Sequence, residues 1–276
     1  INIFFFYLKR FKRIFPALLF ILSFVYIFYK FIGPPDISIR KDYIFSVLGV
    51  SNIYFLLKKN DYFDNVFDYP LGHTWSLGVE EQFYIFYPFL LFFIIKNIKS
   101  NYNIILIIYI FIILILFSIF FLNFNDFQVF YSPIFRFWEF LFGCAIPFIK
   151  LKKEKIISLI SLIIILLILF IDLKIPYLLN NVILTLSVSI FLLFYENLKP
   201  LNIFFQNKIF VFMGNISYSL YLWHLPLTYF IGIYFNGIEF FIYTIILSLI
   251  FSTITYLYVE NYFRYSKFNL QLIIKL

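Results

Sequence analysis

The sequence predicts an all-α protein, a polytopic transmembrane helical bundle with about eight crossings. The 276 residues are 63% hydrophobic and only 13% charged, and the mean hydropathy is +0.95. A compact soluble domain could not hide so much apolar surface, because a large part of any folded chain stays exposed. Apolar stretches of about 20 residues, the length that spans a bilayer, recur along the chain. Lipid is therefore the expected solvent for most of this protein.

The predicted crossings follow one another with short polar connections. They are residues 14–32, 83–95, 103–122, 131–149, 156–173, 180–195, 214–235 and 239–260. A ninth apolar segment, 43–57, is short and carries two serines and an asparagine. We expect this segment to be re-entrant or to lie at the membrane surface. The whole chain, 1–276, reads as a single membrane-embedded domain.

The placement of basic residues predicts the orientation. Lys and Arg in short loops concentrate on the cytoplasmic side of a membrane. If 43–57 does not cross, most of the 22 Lys and Arg residues fall on one face. If it did cross, every later loop would change sides and the bias would disappear. We therefore expect a multi-pass protein of the bacterial inner membrane, surrounded by membrane lipid, with both termini cytoplasmic.

Composition also excludes several classes of function. The net charge of +8 is not arranged as a basic patch interleaved with aromatic residues, so we expect no nucleic-acid partner. Cys144 is the single cysteine, which rules out an internal disulfide and a cysteine metal cluster. Two histidines, His73 and His224, lie far apart in sequence and are weak evidence for a metal site. We expect no metal and no bound cofactor.

Polar residues within crossings mark function or pair with one another, because they cost free energy in lipid. Arg136 and Glu139 would share one helix face with Ser132 and Gly143. These residues serve catalysis, or they form an intrahelical ion pair that only eases insertion.

A second polar face lies in the seventh crossing. Ser217, Tyr221, His224 and Thr228 recur at helical spacing. An imidazole acts as a base, donor or ligand near neutral pH. Alternatively, His224 is a core histidine bonded to a neighbouring helix. Pro226 predicts a local kink, which a helix beside a cavity tolerates.

A third cluster, HTWSLGVEEQFY at 73–84, leads into a crossing from the outer face. His73, Trp75 and Ser76 are expected to line an outer mouth, with Glu80 beside them. In the alternative reading, Trp75 is an interfacial anchor and the carboxylates are solvated. No nucleophile elbow surrounds Ser76, so a Ser/His/Asp triad is not indicated.

Arg10 and Arg13 belong to a basic cluster at the inner face. Such clusters usually act as topology signals. The functional reading is a phosphate cradle, since the guanidinium group offers two parallel hydrogen bonds to an anion.

Five sequence blocks, in this order, resemble the acyltransferase-3 family of integral-membrane O-acyltransferases, which modify polysaccharides, lipopolysaccharide and related cell-surface glycans. The blocks are FYLKRFKRIFPA at 6–17, HTWSLGVEEQFY at 73–84, RFWE with the following Gly at 136–143, GNISYSLYLWHLPL at 214–227 and YLYVENYFR at 256–264. Their order and spacing are more specific than any single block.

The resemblance implies an enzyme that transfers an acyl group, usually acetyl, from cytoplasmic acyl-CoA across the membrane. The acceptor would be a hydroxyl of a cell-surface glycan or its lipid-linked precursor, with acyl-CoA as co-substrate. The implied roles are donor binding for Arg10 and Arg13, thioester polarisation for Arg136, Tyr221 and His224, and orientation of an imidazole for Glu80 or Glu139. Two further N-terminal helices of the family, the first with a histidine proposed as catalytic, have no counterpart here. We therefore expect an N-terminally incomplete, stand-alone form.

The two polar faces also predict a shared cavity. Each is too polar to face lipid, so His224 and Glu139 are expected to line one passage toward Arg13, with Gly143 allowing close approach. Two other functions stay open. The same faces suit a transporter or flippase, although no inverted repeat is visible, and a truncated copy suits a non-catalytic assembly partner.

Overall fold

A computed structural model describes residues 3–32, 38–58, 69–98, 102–119, 126–149, 155–171, 177–195 and 203–266. Every regular element within these ranges is helical, which confirms the predicted all-α class. A helix suits an apolar solvent because it satisfies its backbone hydrogen bonds internally. The chain forms two compact units, Ile1–Gln82 with Met213–Leu276 and Phe83–Phe212. We call them the first and the second unit.

The first unit is built around two long helices and a C-terminal helical stretch. Its elements are α1 (Ile3–Ile32), α2 (Ser38–Val47), α3 (Ser51–Lys58), the start of α4 (Thr74–Ile98), most of α10 (Lys208–Gly232), α11 (Gly237–Thr255), a π-helical turn (Tyr256–Glu260) and α12 (Asn261–Tyr265). Its apolar core combines one face of α1, including Leu18 and Leu22, with Leu222 and Trp223 of α10.

The second unit contains shorter helices. They are the rest of α4, α5 (Tyr102–Ser118), α6 (Asp126–Tyr131), α7 (Phe137–Ala145), α8 (Lys155–Phe170) and α9 (Tyr177–Phe194), with 3₁₀ turns at Pro133–Phe135 and Ile146–Phe148 on either side of α7. Phe83, Tyr109 and Trp138 are central to its apolar core.

Three of the described helical stretches are long and apolar enough to cross a membrane: Ile3–Ile32, Thr74–Lys96 and Gly237–Tyr265. Shorter apolar helices are also present, at Ile104–Phe117, Phe137–Phe148, Ile156–Phe170 and Leu179–Phe194. At 25 residues, α10 is about 37 Å long, but its polar residues lower its hydropathy. These helices mark a membrane protein, while the number of crossings, about eight, stays a prediction.

Segment 43–57 is divided into two short helices. α2 has 10 residues and α3 has 8, and the chain between them turns through Gly49 at φ 67°. Helices of this size are about 15 and 12 Å long, well short of a hydrocarbon core of about 30 Å. Neither helix could cross on its own, in line with the expectation that 43–57 does not span. Its placement in the membrane stays a prediction.

The predicted crossing at 131–149 is not one continuous helix, so the helix face predicted from it is partly wrong. Pro133 disfavours the α conformation of the residue before it, and Ser132 is extended with ψ 132°. Ser132 therefore does not share a helix face with Arg136 and Glu139. A Cβ at Gly143 would meet no described atom within 4 Å, and the close approach of the two polar faces stays a prediction.

Hydrogen bonds fasten the α2–α3 turn to the start of α4. The Ser46 and Thr74 hydroxyls are 2.7 Å apart, and the Ser51 hydroxyl donates to the Thr74 carbonyl at 2.7 Å. The Gln82 amide donates to the Asn52 side-chain oxygen at 2.8 Å. Ser46, Ser51, Asn52 and Thr74 are all buried, so these bonds offset the cost of removing their polar groups from water.

We expect Gly78→Ala to destabilise this junction. A Cβ at Gly78 would lie 2.8 Å from the Asn52 side-chain oxygen and 3.2 Å from the Gly49 carbonyl. Overpacking of this kind costs about 1–3 kcal/mol, which would lower the thermal unfolding midpoint in detergent. Gly214→Ala is the matched control, because a Cβ there meets nothing within 4 Å and alanine is the better helix former. Equal midpoints for the two variants would contradict the packing described here.

We expect α2 and the C-terminal end of α4 to lie on opposite sides of the membrane. Arg40 and Lys96 are both exposed, which makes them suitable for single cysteines in a Cys144→Ala background. A membrane-impermeant thiol reagent applied to spheroplasts should label a cysteine at 40 and spare one at 96. Labelling only at 96 would reverse the orientation, and labelling at both positions would contradict a crossing between them.

Candidate functional site

Helix α10 brings Tyr221 and His224 against the residues that begin α4. The His73 and His224 ring centroids are 5.1 Å apart, and the Tyr221 ring lies 5.1 Å from His73 and 5.4 Å from His224. The Ser76 hydroxyl is 2.5 Å from the Tyr221 hydroxyl. We call His73, Ser76, Tyr221 and His224 the His–Tyr cluster. Sequence patterns placed these residues in two separate groups, and the fold joins them.

Hydrogen bonds hold this cluster together and assign the tautomer of His224. The Tyr221 hydroxyl and the Ser76 hydroxyl both donate to the His73 carbonyl, the latter at 3.3 Å. Nδ1 of His224 lies 2.5 Å from the Tyr221 carbonyl. Because a carbonyl only accepts, Nδ1 carries the proton and Nε2 presents its lone pair. His224 is thus in the tautomer that a general base requires at Nε2.

His73 is buried, with 2% of its surface exposed. Neither ring nitrogen makes a well-aligned hydrogen bond to a described residue. Burial first, and then the neighbouring His224, lower the pKa of His73 well below its ordinary value, and the Leu222 backbone opposes only part of this change. The ring is therefore neutral at pH 7. Trp75 is half-buried in the first turn of α4, and the outer mouth expected from His73, Trp75 and Ser76 stays a prediction.

Arg10 and Glu80 form an ion pair between α1 and α4. Arg10 Nη2 donates to Glu80 Oε1 at 2.9 Å, and both side chains are partly exposed. The resemblance implied donor binding for Arg10 and orientation of an imidazole for Glu80. The structure joins the two groups to each other, and both implied roles stay predictions.

Glu260 is a candidate functional residue that the sequence analysis did not single out. It lies at the end of the π turn, is 3% exposed and accepts a hydrogen bond from Ser219. The positive charges of Arg13 and Arg264 act on its carboxylate. The sequence contains a feature that could have identified Glu260, because it is an acidic residue within a predicted crossing and within the block at 256–264. π turns also occur often at functional sites.

Arg136, just before α7, and Glu139 in its first turn form an ion pair, and their role in catalysis or insertion stays a prediction. Arg136 Nη1 donates to Glu139 Oε1 at 3.0 Å. The guanidinium also lies 5.4 Å from the Phe130 ring centroid and donates from Nε to the Phe130 carbonyl at 3.4 Å. This pair belongs to the second unit and His224 to the first, so the shared cavity stays a prediction.

A cavity of about 360 Å³ lies where α10 ends and α11 begins. Its lining combines three aromatic rings with an amide and a hydroxyl; the residues are Thr228, Tyr229, Gly232, Ile233, Phe235, Asn236, Gly237 and Phe240. The Thr228 hydroxyl donates to the His224 carbonyl at 2.6 Å. The cavity is therefore one helical turn from the His–Tyr cluster.

The candidate functional groups are distributed along the axis of α10, and three residues of this helix contact them. Ser219 contacts Glu260, His224 belongs to the His–Tyr cluster, and Thr228 lines the cavity. At 1.5 Å per residue, His224 lies about 7.5 Å along the axis from Ser219 and about 6 Å from Thr228. The basic residues near Glu260 and the cavity are thus on opposite sides of His224 along the helix.

The described ranges contain no group of three or more His, Cys, Asp or Glu side chains that could hold a metal ion. The chemistry that these residues offer is proton transfer at His224 and anion binding at the arginines. The expectation of no bound cofactor stays a prediction.

Comparison with known proteins finds an acyltransferase family and O-acetyltransferase relatives. The family described as "Acyltransferase domain" matches residues 2–259. The chain is 28% identical over 291 residues to "O-acetyltransferase OatA" of Staphylococcus aureus (strain NCTC 8325 / PS 47), a match that covers 96% of this chain and 48% of that protein. It is 29% identical over 284 residues to "Putative O-acetyltransferase SACOL0978" of Staphylococcus aureus (strain COL), with 94% and 47% covered.

The chain spans about half the length of the curated relatives that it matches. No solved structure matches it.

Proposed function

Because the chain belongs to the acyltransferase-3 family, we propose that it is an O-acetyltransferase whose donor is acetyl-CoA and whose acceptor is a hydroxyl of a cell-surface glycan or its lipid-linked precursor. The family and the named O-acetyltransferase relatives support acyl transfer. The observation that carries the proposal is the tautomer of His224, which leaves Nε2 as a base within a cluster fixed by hydrogen bonds.

The reaction needs a base for the acceptor hydroxyl. In the proposed step, Nε2 of His224 takes the hydroxyl proton while the hydroxyl oxygen attacks the carbonyl carbon of the thioester. A carbon–oxygen bond forms, the carbon–sulfur bond breaks, and the departing thiolate recovers the proton from His224. Tyr221 holds the base in place, since its carbonyl accepts from Nδ1.

The two sides of His224 suit two different substrates. Basic residues of α1 and α12 lie toward Glu260, where they would attract the phosphates of a donor from the cytoplasm. This assignment puts both termini in the cytoplasm of a bacterium, with the protein in its inner membrane. It places the cavity at the end of α10 on the outer side.

The cavity at the end of α10 is proposed to hold a sugar ring of the acceptor. Its volume is at the lower end of the range for small-ligand sites, about 300–1,000 Å³. Tyr229, Phe235 and Phe240 offer flat apolar surfaces for the C–H face of a pyranose ring. The Asn236 amide can donate to one hydroxyl and accept from another, and its side chain makes no capping bond to α11.

We expect His224→Ala to lower acetyl transfer by about 10²–10⁴-fold, the usual contribution of a general base. Transfer of radiolabelled acetyl from acetyl-CoA to tri-N-acetylchitotriose would be measured in detergent. Ser217→Ala, on the same helix and bonded only locally to the Gly214 carbonyl, should stay within about twofold of the unaltered protein. If His224→Ala elutes as a monodisperse protein and keeps its rate, the proposed base is wrong.

We expect Asn236→Ala to raise KM for the same oligosaccharide about tenfold with little change in kcat. Losing one or two neutral hydrogen bonds costs about 1–1.5 kcal/mol, and 1.4 kcal/mol is a factor of ten. Asn207→Ala removes an amide at the other end of α10, where it bonds only to the Ile209 backbone, and should leave KM unchanged. A lowered kcat with unchanged KM for Asn236→Ala would exclude the cavity as the acceptor-binding site.

A further inference from the structure

His73 and His224 are the only histidines in the sequence, and the fold brings them into contact. Their ring centroids are 5.1 Å apart, with the ring planes at 72° to each other. Both residues are described, and no hydrogen bond joins the two rings. Their distance in sequence made them weak evidence for a metal site, and that objection is removed once the rings are adjacent in space.

Each of the two rings offers a nitrogen lone pair. Nδ1 of His224 donates to the Tyr221 carbonyl, so the lone pair is on Nε2. His73 is buried, and neither of its nitrogens makes a hydrogen bond to a described residue, so its lone pair meets no donor there. A histidine that ligates a metal usually donates its other ring N–H to a carbonyl or a carboxylate, as His224 does. The pair therefore suits a ligand that accepts two lone pairs.

The spacing of the rings matches two imidazoles on one tetrahedral ion. A Zn²⁺–nitrogen bond is about 2.0–2.1 Å long and the ring centroid lies about 1.2 Å behind the nitrogen, so each centroid would be about 3.2 Å from the ion. Two such rings at a tetrahedral angle of about 109° have centroids about 5.2 Å apart. The observed separation is 5.1 Å. The rings therefore need no large movement to share one ion.

The rest of the His–Tyr cluster favours a transition ion over a hard cation. Ser76 and Tyr221 contribute hydroxyl groups 2.5 Å apart, and the cluster contains no carboxylate. Mg²⁺ and Ca²⁺ are bound mainly by carboxylate and carbonyl oxygens, whereas imidazole nitrogen suits Zn²⁺, Cu²⁺ and Ni²⁺. His224 is half-buried, which leaves an approach for the ion and for water molecules as its remaining ligands.

We propose that His73 and His224 form a two-histidine site that binds Zn²⁺ or a similar divalent transition ion, and that this ion inhibits the enzyme. Nε2 of His224 cannot bind the ion and take a proton from the acceptor hydroxyl at the same time, because both use one lone pair. The inhibition rests on the proposed function of His224 as the base. The binding of the ion rests on the two rings alone.

The test is calorimetric titration of the purified chain in detergent with Zn²⁺, using an affinity tag that contains no histidine. His73→Gln and His224→Gln should each raise Kd about 100-fold, since even the outer-shell partners of a metal ligand are worth about 10–100-fold. Ser217→Ala, on the same helix but outside the cluster, should bind Zn²⁺ like the unaltered chain. Mg²⁺ should give no heat that depends on either histidine.

A second measurement uses only the unaltered chain and so does not depend on how the variants fold. With ¹⁵N-labelled histidine, the nuclear magnetic resonance spectrum contains two imidazole rings, and Zn²⁺ should shift one nitrogen of each ring. A shift confined to one ring would overturn the two-histidine site. Unchanged Zn²⁺ affinity of a folded His73→Gln variant would overturn it as well, and so would an unaltered chain that does not bind Zn²⁺.

Initial rates of acetyl transfer separate this inference from the proposed function. Zn²⁺ should inhibit the unaltered chain at concentrations near its Kd, and a chelator should restore the rate. Initial rates are needed because the thiol of released CoA also binds Zn²⁺. If Zn²⁺ binds with the expected losses but leaves the rate unchanged, the metal site stands while its inhibitory role and the proposed base both fail. If Zn²⁺ does not bind but His224→Ala loses transfer, the metal site fails and the proposed base stands.

Discussion

The hydrogen bond from the Tyr221 hydroxyl to the His73 carbonyl joins α10 to the residues that begin α4, and the polar interior of the first unit depends on it. Few water molecules reach the interior of a membrane bundle, so polar groups there must find partners within the protein. The bond brings the two imidazoles within 5.1 Å of each other. The Ser76 hydroxyl donates to the same carbonyl at 3.3 Å and lies 2.5 Å from the Tyr221 hydroxyl.

The rotation of α10 follows from the same requirement. Tyr218 donates to the Ile14 carbonyl at 3.1 Å, Ser219 donates to Glu260, and the Trp223 indole donates to Thr255 at 2.9 Å. These bonds connect successive faces of α10 to α1, the π turn and α11. In lipid the hydrophobic effect gives little preference for one helix–helix contact over another, so packing and polar contacts decide how helices associate. α10 thus has one defined orientation, which directs His224 toward His73.

The fold gives the five family-like sequence blocks different roles. Residues from 6–17, 73–84, 214–227 and 256–264 come together in the first unit, around α10. The block at 136–143 lies in the second unit and forms its own ion pair. The titratable side chains of these four blocks are therefore concentrated on one helix and its neighbours. The cavity beyond Thr228 continues this arrangement along the same axis.

The sequence by itself determined the helical class, most helix positions and the polar face of α10, because hydropathy and helical period are local properties. It also held the Pro133 signal for the break near Arg136. Only the tertiary structure decided that Arg10 pairs with Glu80, 70 residues away, that His73 meets His224, and that the buried Glu260 accepts a hydrogen bond from Ser219. No periodicity relates such distant residues, since their contact depends on how each helix rotates and packs to satisfy buried polar groups.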